Sequence, residues 1–360
     1  MKTYVQNPFF KTGILSDVST NPLMQVSTNV EAVRKLLKLC PVAARTPLTS
    51  SSALADKLSV KNLWFKDERE RMGLGSFKAI GASFVIASRA AEVVPENSPQ
   101  EVWTNALKGK CFVSASAGNH GLSLAAGARL FGAKAVIYLS KNVPSSFADL
   151  IRSYDAEVII YGDDYDESLQ AAIKAASDND WILLSDSTWE GYHLGVHVMQ
   201  GYLVAAAEAF EDCPEPPTHI FLQAGVGGFP AAIAALARKF YGNSPLIIIV
   251  EPTKAPVLQA SIEAGKAVEV KGGVSNMGRL DCKIPSIAAL SSLSKTSNYF
   301  MTITDEEADH CLSELSSEGL GTSPSGGAGY AGLIKCINDK SCEISLDSRV
   351  MIFLSEKDPD

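Results

Sequence analysis

From about residue 110 to residue 355 the sequence alternates short apolar runs with longer amphipathic stretches, and this rhythm limits the fold more than any other feature. The runs at 111–116, 135–140, 156–162, 181–186, 219–224, 246–251 and 349–355 read as strands. The stretches 144–154, 168–177 and 190–210 read as helices between them. Strands separated by helices of this length pair in parallel through crossovers. LIIIV and VMIFL are apolar without alternation, which suits strands covered on both faces. The expectation is an α/β protein with a mostly parallel sheet. At 360 residues and 46% hydrophobic content the chain can bury a large core in one or two lobes. Segments 95–110 and 265–298 are richer in Pro, Gly, Ser and charge and read as loops or lobe junctions.

Charge narrows the function. Lys and Arg number 32 against 40 Asp and Glu, a net charge of -8, and no basic run stands out. Nucleic acid and anionic membrane both need clustered cations, so neither is expected as a partner. The start, MKTYVQNPFFKTG, lacks an apolar core for a secretory signal, and no apolar run reaches the roughly 20 residues of a membrane helix. The seven cysteines (Cys40, Cys111, Cys213, Cys282, Cys311, Cys336, Cys342) show no CxxC and no zinc-like spacing. Reduced thiols, no metal and a cytoplasmic location are the expectation.

In open α/β sheets ligands sit beyond the carboxyl ends of strands, so strand-to-helix junctions come first. GLGSFKAIGA places Lys78 at the start of an apolar helix after a Gly-rich turn. A lysine there is ordinarily solvated. Phe77, Ala79 and Ile80 surround it, however, and no carboxylate follows at 79–81. Partial desolvation lowers an amine's pKa and frees it for imine chemistry. SASAGNHG (114–121) runs from a strand through a small-residue turn into a helix. Its small residues admit a flat ligand, Asn119 can donate to a ring oxygen, and His120 is ordinarily a structural hydrogen-bonder. FLQAGVGGFP (221–230) offers the backbone N–H groups of Gly225, Val226, Gly227 and Gly228 at a helix start, a phosphate cradle. The same string passes as an imperfect dinucleotide fingerprint with Glu251 as the ribose-binding acid, which would make a nicotinamide or flavin enzyme. That reading leaves Lys78 and SASAGNHG unused.

LLSDSTWEGYHLGVHVMQGY (183–202) carries Asp186 at a strand end, either a general base or a helix N-cap. His193 and His197 lie four apart but lack a third ligand, so they suggest no metal site. SPSGGAGYAGL (323–333) and Ser355 each offer a hydroxyl to a buried heterocycle, or a helix cap.

Together, in this order and spacing, these strings resemble the fold-type II pyridoxal-phosphate (PLP) family, which includes threonine and serine dehydratases and the tryptophan synthase β subunit. GLGSFKAIGA, GNHG, DSTWEGY with MQGY, LQAGVGG and IIIVEPTKA are most similar to its diaminopropionate ammonia-lyase subfamily, and the similarity spans about residues 45–356. The resemblance implies two lobes, each a mostly parallel sheet covered by helices. Residues 1–88 with 189–360 would form the large cofactor-binding lobe and 89–188 the small one. Lys78, flanked by Phe77, would carry pyridoxal 5'-phosphate as a Schiff base. Asn119 would meet the phenolic oxygen, the 225–228 loop the phosphate, and Ser355 the pyridine nitrogen. Asp186 would serve as base, and backbone groups of Ser116, Ala117, Gly118 and His120 would hold the substrate carboxylate. The subfamily has an acid just before GNHG where this chain has Ala117, which removes the base on one face and favours the L-enantiomer. The implied activity is α,β-elimination from a small β-substituted amino acid by a homodimer, giving a 2-oxo acid and ammonia. Dehydration of a β-hydroxy amino acid, racemisation, β-replacement and a non-catalytic PLP-binding role are the alternatives.

Overall fold

The computed structural model describes residues 3–116 and 118–358. Among the described residues one seven-stranded sheet runs in the order β1 (Tyr4–Gln6), β10 (Tyr299–Ile303), β9 (Leu246–Pro252), β8 (His219–Gln223), β11 (Arg349–Leu354), β3 (Asn62–Asp67) and β2 (Leu48–Ser50). Its five inner strands are parallel, and the three-residue edges β1 and β2 pair antiparallel. A second, four-stranded parallel sheet runs β6 (Glu157–Ile160), β5 (Lys134–Leu139), β4 (Cys111–Ala115) and β7 (Ile182–Leu183). The β8 strand HIFLQ is buried throughout, and β9 and β11 are buried after their first residue, as unalternating apolar runs require.

Several elements differ from the sequence reading. Strand β3 was hidden by Lys66 and Asp67 within NLWFKD, yet Lys66 is fully buried. Segment 265–298 is not all loop, since Ile287–Thr296 is a helix leading into β10. The stretch 190–210 forms two helices, Gly195–Gly201 and Leu203–Asp212, that meet at Tyr202. The strand expected at 181–186 stops at Leu183. Beyond it Tyr192 Oη donates to the Leu183 carbonyl (3.1 Å) and accepts from the Ser185 amide (2.8 Å), turning the chain aside. Cys336 and Cys342 are joined by a disulfide, which corrects the expectation of reduced thiols throughout. No helix is long and apolar enough to cross a membrane, and no group of three His, Cys, Asp or Glu could hold a metal ion, among the described residues.

A buried ionic network fixes the turn that precedes Lys78. Lys66 Nζ donates to Glu208 (2.7 Å), and Arg71 reaches both Glu208 (2.6 Å) and Glu68 (2.7 Å). Thr46 Oγ1 donates to Glu68 (2.6 Å). Each buried charge has an opposite partner and further hydrogen bonds, the condition under which such a cluster is tolerated. Losing one member leaves the others uncompensated, at a cost of about 3–5 kcal/mol. The turn is thereby held to the large sheet before the chain enters the helix Ala79–Ala91.

Candidate active site

The carboxyl ends of β3, β8 and β11 lie at one edge of the large sheet because the strands are parallel. Phe77 N donates to the Ser355 carbonyl (3.0 Å), which ties the lysine turn to the end of β11. Ser355 is buried at that junction. The Phe77 ring lies 3.9 Å from that of Phe229, in the first turn of the helix Gly228–Tyr241. Lys78 and the Gly-rich loop after β8 are therefore packed side by side.

Lys78 pairs with Asp186, 108 positions away. No carboxylate follows at 79–81, as the sequence reads, but this distant partner overturns the expectation of a lowered amine pKa. Burial opposes the ammonium, but the Asp186 charge and hydrogen bond, with Tyr202 and Cys282, together outweigh it and raise the Lys78 pKa above its ordinary value. Burial likewise opposes the Asp186 carboxylate, and Lys78, His120 and a backbone amide together outweigh it, holding that carboxyl well below the usual range. Asp186 is not a helix cap, because the next helix begins at Gly195. The pair is an ammonium beside a carboxylate, with the proton on Lys78 and an ionised Asp186 left as a base.

Gly227 caps the helix Gly228–Tyr241 with φ 99°, a conformation that disfavours any side chain, and no side chain caps that N-terminus. Its first-turn amides face outward as donors for an anion. A methyl on Gly228 would lie 3.6 Å from the Asp186 carbonyl, so the cradle adjoins the pair. A methyl on Gly225 would lie 2.9 Å from Cys282 Sγ and 3.1 Å from the Arg279 carbonyl, so the 279–282 segment closes over this loop. Val226 O accepts from Ser286 N (3.0 Å) and anchors it there.

The SASAGNHG turn is partly committed to itself. Ser116 Oγ accepts from the amides of Gly118 and Gly121 (both 2.9 Å), and Ser116 N donates to Tyr138 O (3.0 Å). The amides of Ser116 and Gly118 are thus unavailable to a substrate, contrary to expectation. Those of Asn119 and His120, in the first turn of the helix Asn119–Leu130, lack an internal helical acceptor. Ala117 lies outside the described residues. His120 Nε2 meets the Leu184 carbonyl (2.8 Å), and burial lowers its pKa and keeps the ring neutral.

Four residues missed in the sequence also face this site. Glu356 accepts from Asn119 Nδ2 and Ser323 Oγ, so Ser323 serves a carboxylate as well as capping its helix. Burial pushes the Glu356 carboxyl up, opposed by Arg279, whose Nε lies 3.7 Å from it. Arg279 also stacks over Phe147 at 5.2 Å. Burial pushes the Cys282 thiol up to about 12, with Asp186 adding to the effect. Tyr202 places its buried ring against Phe77, with centroids 4.9 Å apart. Only Tyr202 had a local signal, the MQGY string; the others sit in loops without a motif.

Glu251 settles the rival reading of the Gly-rich loop. It is fully buried, and its two oxygens accept from Leu258 N (2.7 Å) and Gln259 N (2.8 Å), so it is spent on the next helix and unavailable to a ribose. An uncapped glycine cradle, a lysine amine with a proton acceptor and an amide donor across the cleft fit a phosphorylated aromatic aldehyde instead. Residues 39–356 match the family described as pyridoxal-phosphate dependent enzyme. The chain belongs to that family. It is 33% identical over 294 residues to a diaminopropionate ammonia-lyase of Salmonella typhimurium, covering 76% of this chain and 71% of that protein. An L-threonine dehydratase of Haemophilus influenzae is 29% identical over 257 residues, covering 71% of this chain and 45% of that protein. The solved structure of Escherichia coli diaminopropionate ammonia lyase with D-serine superposes with a TM-score of 0.88 at 27% identity, covering 99% of this chain and 94% of that one. The fold is fold-type II and the cofactor is pyridoxal 5'-phosphate.

Proposed function

We propose that this pyridoxal-phosphate enzyme is an ammonia-lyase that performs α,β-elimination on a small β-substituted amino acid of the 2,3-diaminopropionate kind, with the L form preferred. The carrying observation is the Lys78–Asp186 pair set beside an uncapped glycine cradle. Lys78 holds the cofactor and Gly225, Val226, Gly227 and Gly228 take its phosphate. Asn119, oriented by Glu356, would meet the ring oxygen, and Ser355 would face the ring nitrogen. Bound there, the cofactor supplies the electron sink for the substrate's α-carbon. Asp186, ionised beside Lys78, would accept the substrate's α-proton, or the freed Lys78 amine would, work typically worth about 10²–10⁴-fold in rate. The first-turn amides at Asn119 and His120 hold the α-carboxylate. The Phe77 ring lies against the Lys78 amine, 5.4 Å from its centroid, and the side chain keeps 21% exposure, an opening for substrate.

The same reading assigns 89–188 to a small lobe and the rest to a large one, and takes the working form as a homodimer. The test is incubation of the holoenzyme with L-2,3-diaminopropionate, L-serine and L-threonine, scoring ammonia and 2-oxo acid. Ammonia and oxo acid from the diamine, without a second nucleophile, support the lyase. Turnover of the hydroxy amino acids alone moves the assignment to a dehydratase, and inverted substrate without ammonia to a racemase.

A further inference from the structure

Tyr202 stands where the helices Gly195–Gly201 and Leu203–Asp212 meet, and it is 1% exposed. Its ring packs edge-on against Phe77 (4.9 Å between centroids) and Phe229 (5.9 Å). It also presses on Gly81, one turn beyond Lys78 on the same helix face, where a methyl would lie 2.6 Å from Cε1 and 2.9 Å from Cζ. The absent side chain at Gly81 is what lets the ring lie along the helix surface that carries the lysine.

The hydroxyl at the end of this ring makes no hydrogen bond of normal geometry among the described residues. A buried hydroxyl left in this state is a standing cost to the fold, and such groups call for a functional explanation. Lys78 Nζ stands 5.4 Å from the centroid of the Phe77 ring, the ring against which Tyr202 packs, so the amine and the phenol share one aromatic corner; burial raises the phenol's pKa and Lys78 opposes that rise. The other titratable groups acting on Lys78 come from separate elements. They are Asp186 after β7, Cys282 in the 279–282 segment, His120 on the helix Asn119–Leu130, and Glu356 after β11. Asp186 and Glu356 are carboxylic acids, His120 is spent on Leu184, and the Cys282 thiol holds its proton, so Tyr202 is the neutral oxygen in the set.

We propose that Tyr202 is a positioning residue for Lys78: its hydroxyl accepts a hydrogen bond from the amine and holds it in place whether or not the amine carries its extra proton. This rests on Lys78 being the cofactor lysine. A carboxylate alone would hold the ammonium well and the neutral amine poorly. A neutral acceptor that keeps its own proton holds both.

The test titrates Lys78 in the cofactor-free protein. Competitive acetylation across pH, read by peptide mass spectrometry, gives its pKa in the natural protein, in Tyr202→Phe and in Asp186→Asn. A hydrogen bond to a charged group favours the charged form, so Tyr202→Phe lowers the Lys78 pKa by about one unit. Asp186→Asn lowers it further. Tyr202→Phe keeps the ring and discards the costly hydroxyl, so it melts no lower than the natural protein. In the holoenzyme kcat falls about tenfold with KM within about twofold. An unchanged Lys78 titration in Tyr202→Phe overturns the proposal whatever the activity. A lower melting point with Lys78 unmoved also overturns it, by making the hydroxyl a packing group. Covalent cofactor found on another lysine would instead defeat the reading of Lys78 and leave the cofactor-free titration standing.

Discussion

Replacing Gly227 with alanine strikes the cradle with the smallest possible side chain. The residue sits at φ 99°, and an added methyl would meet Ala289 Cβ and Leu258 Cδ1, both at 3.2 Å. Left-handed backbone costs a residue with a side chain about 1–2 kcal/mol. Overpacking of this kind adds about 1–3 kcal/mol, so the cofactor-free protein loses about 2–5 kcal/mol in all. The loop also shifts away from the helix N-terminus. Losing one charge-assisted hydrogen bond costs about 1.5–3 kcal/mol, which weakens phosphate binding about 10- to 100-fold. The assay is fluorescence titration of the cofactor-free natural protein and Gly227→Ala with pyridoxal 5'-phosphate and with pyridoxal. Affinity for the phosphorylated form falls in the variant, while affinity for pyridoxal stays near that of the natural protein. Equal weakening for both compounds, or none for either, refutes the assignment of the phosphate to the 225–228 loop.

Asp186→Asn removes the proton acceptor and lowers kcat/KM on the L substrate by about 10²–10⁴-fold; full retained activity contradicts its role. With Ala117 unable to take a proton, the natural protein turns over the L-enantiomer in preference to the D, and Ala117→Asp raises D turnover. Equal kcat/KM for both enantiomers in the natural protein would sink that expectation. Burial pushes the Glu251 carboxyl up to about 8 from an ordinary 4.5, against the pull of the backbone amides it caps. A raised native pKa gives a contribution fully present below about 4.5 and lost as pH rises through about 8. Melting temperatures from pH 5 to 8.5 therefore fall more steeply for the natural protein than for Glu251→Gln, and parallel profiles would contradict this.

The strands legible in the sequence are those buried on both faces, such as β8, β9 and β11, because burial writes itself as an unbroken apolar run. Strand β3 escaped because its Lys66 is neutralised by Glu208, an acid 142 positions away that no local pattern can supply. Strands β1 and β2 are three-residue edges, too short for any periodicity to show. The site follows the same division. Lys78, Asn119 and the 225–228 loop lie in compact strand-to-helix strings whose chemistry is local. The Lys78–Asp186 pair, the Asn119–Glu356 bond and the closure of the 279–282 segment over Gly225 depend on how two sheets bring their carboxyl ends together. The pKa of Lys78 rises instead of falling for that reason: its apolar neighbours show the desolvation locally, and Asp186, Tyr202 and Cys282, which together outweigh it, come from distant segments.

The central claim is that Lys78 carries the cofactor covalently. Borohydride reduction of the holoenzyme, followed by digestion and peptide mass spectrometry, tests it most directly. A stable pyridoxyl-phosphate group is expected on the peptide containing GLGSFKAIGA, at Lys78, and none on Lys78→Ala. Label on a different lysine, or a reducible linkage that survives in Lys78→Ala, contradicts it.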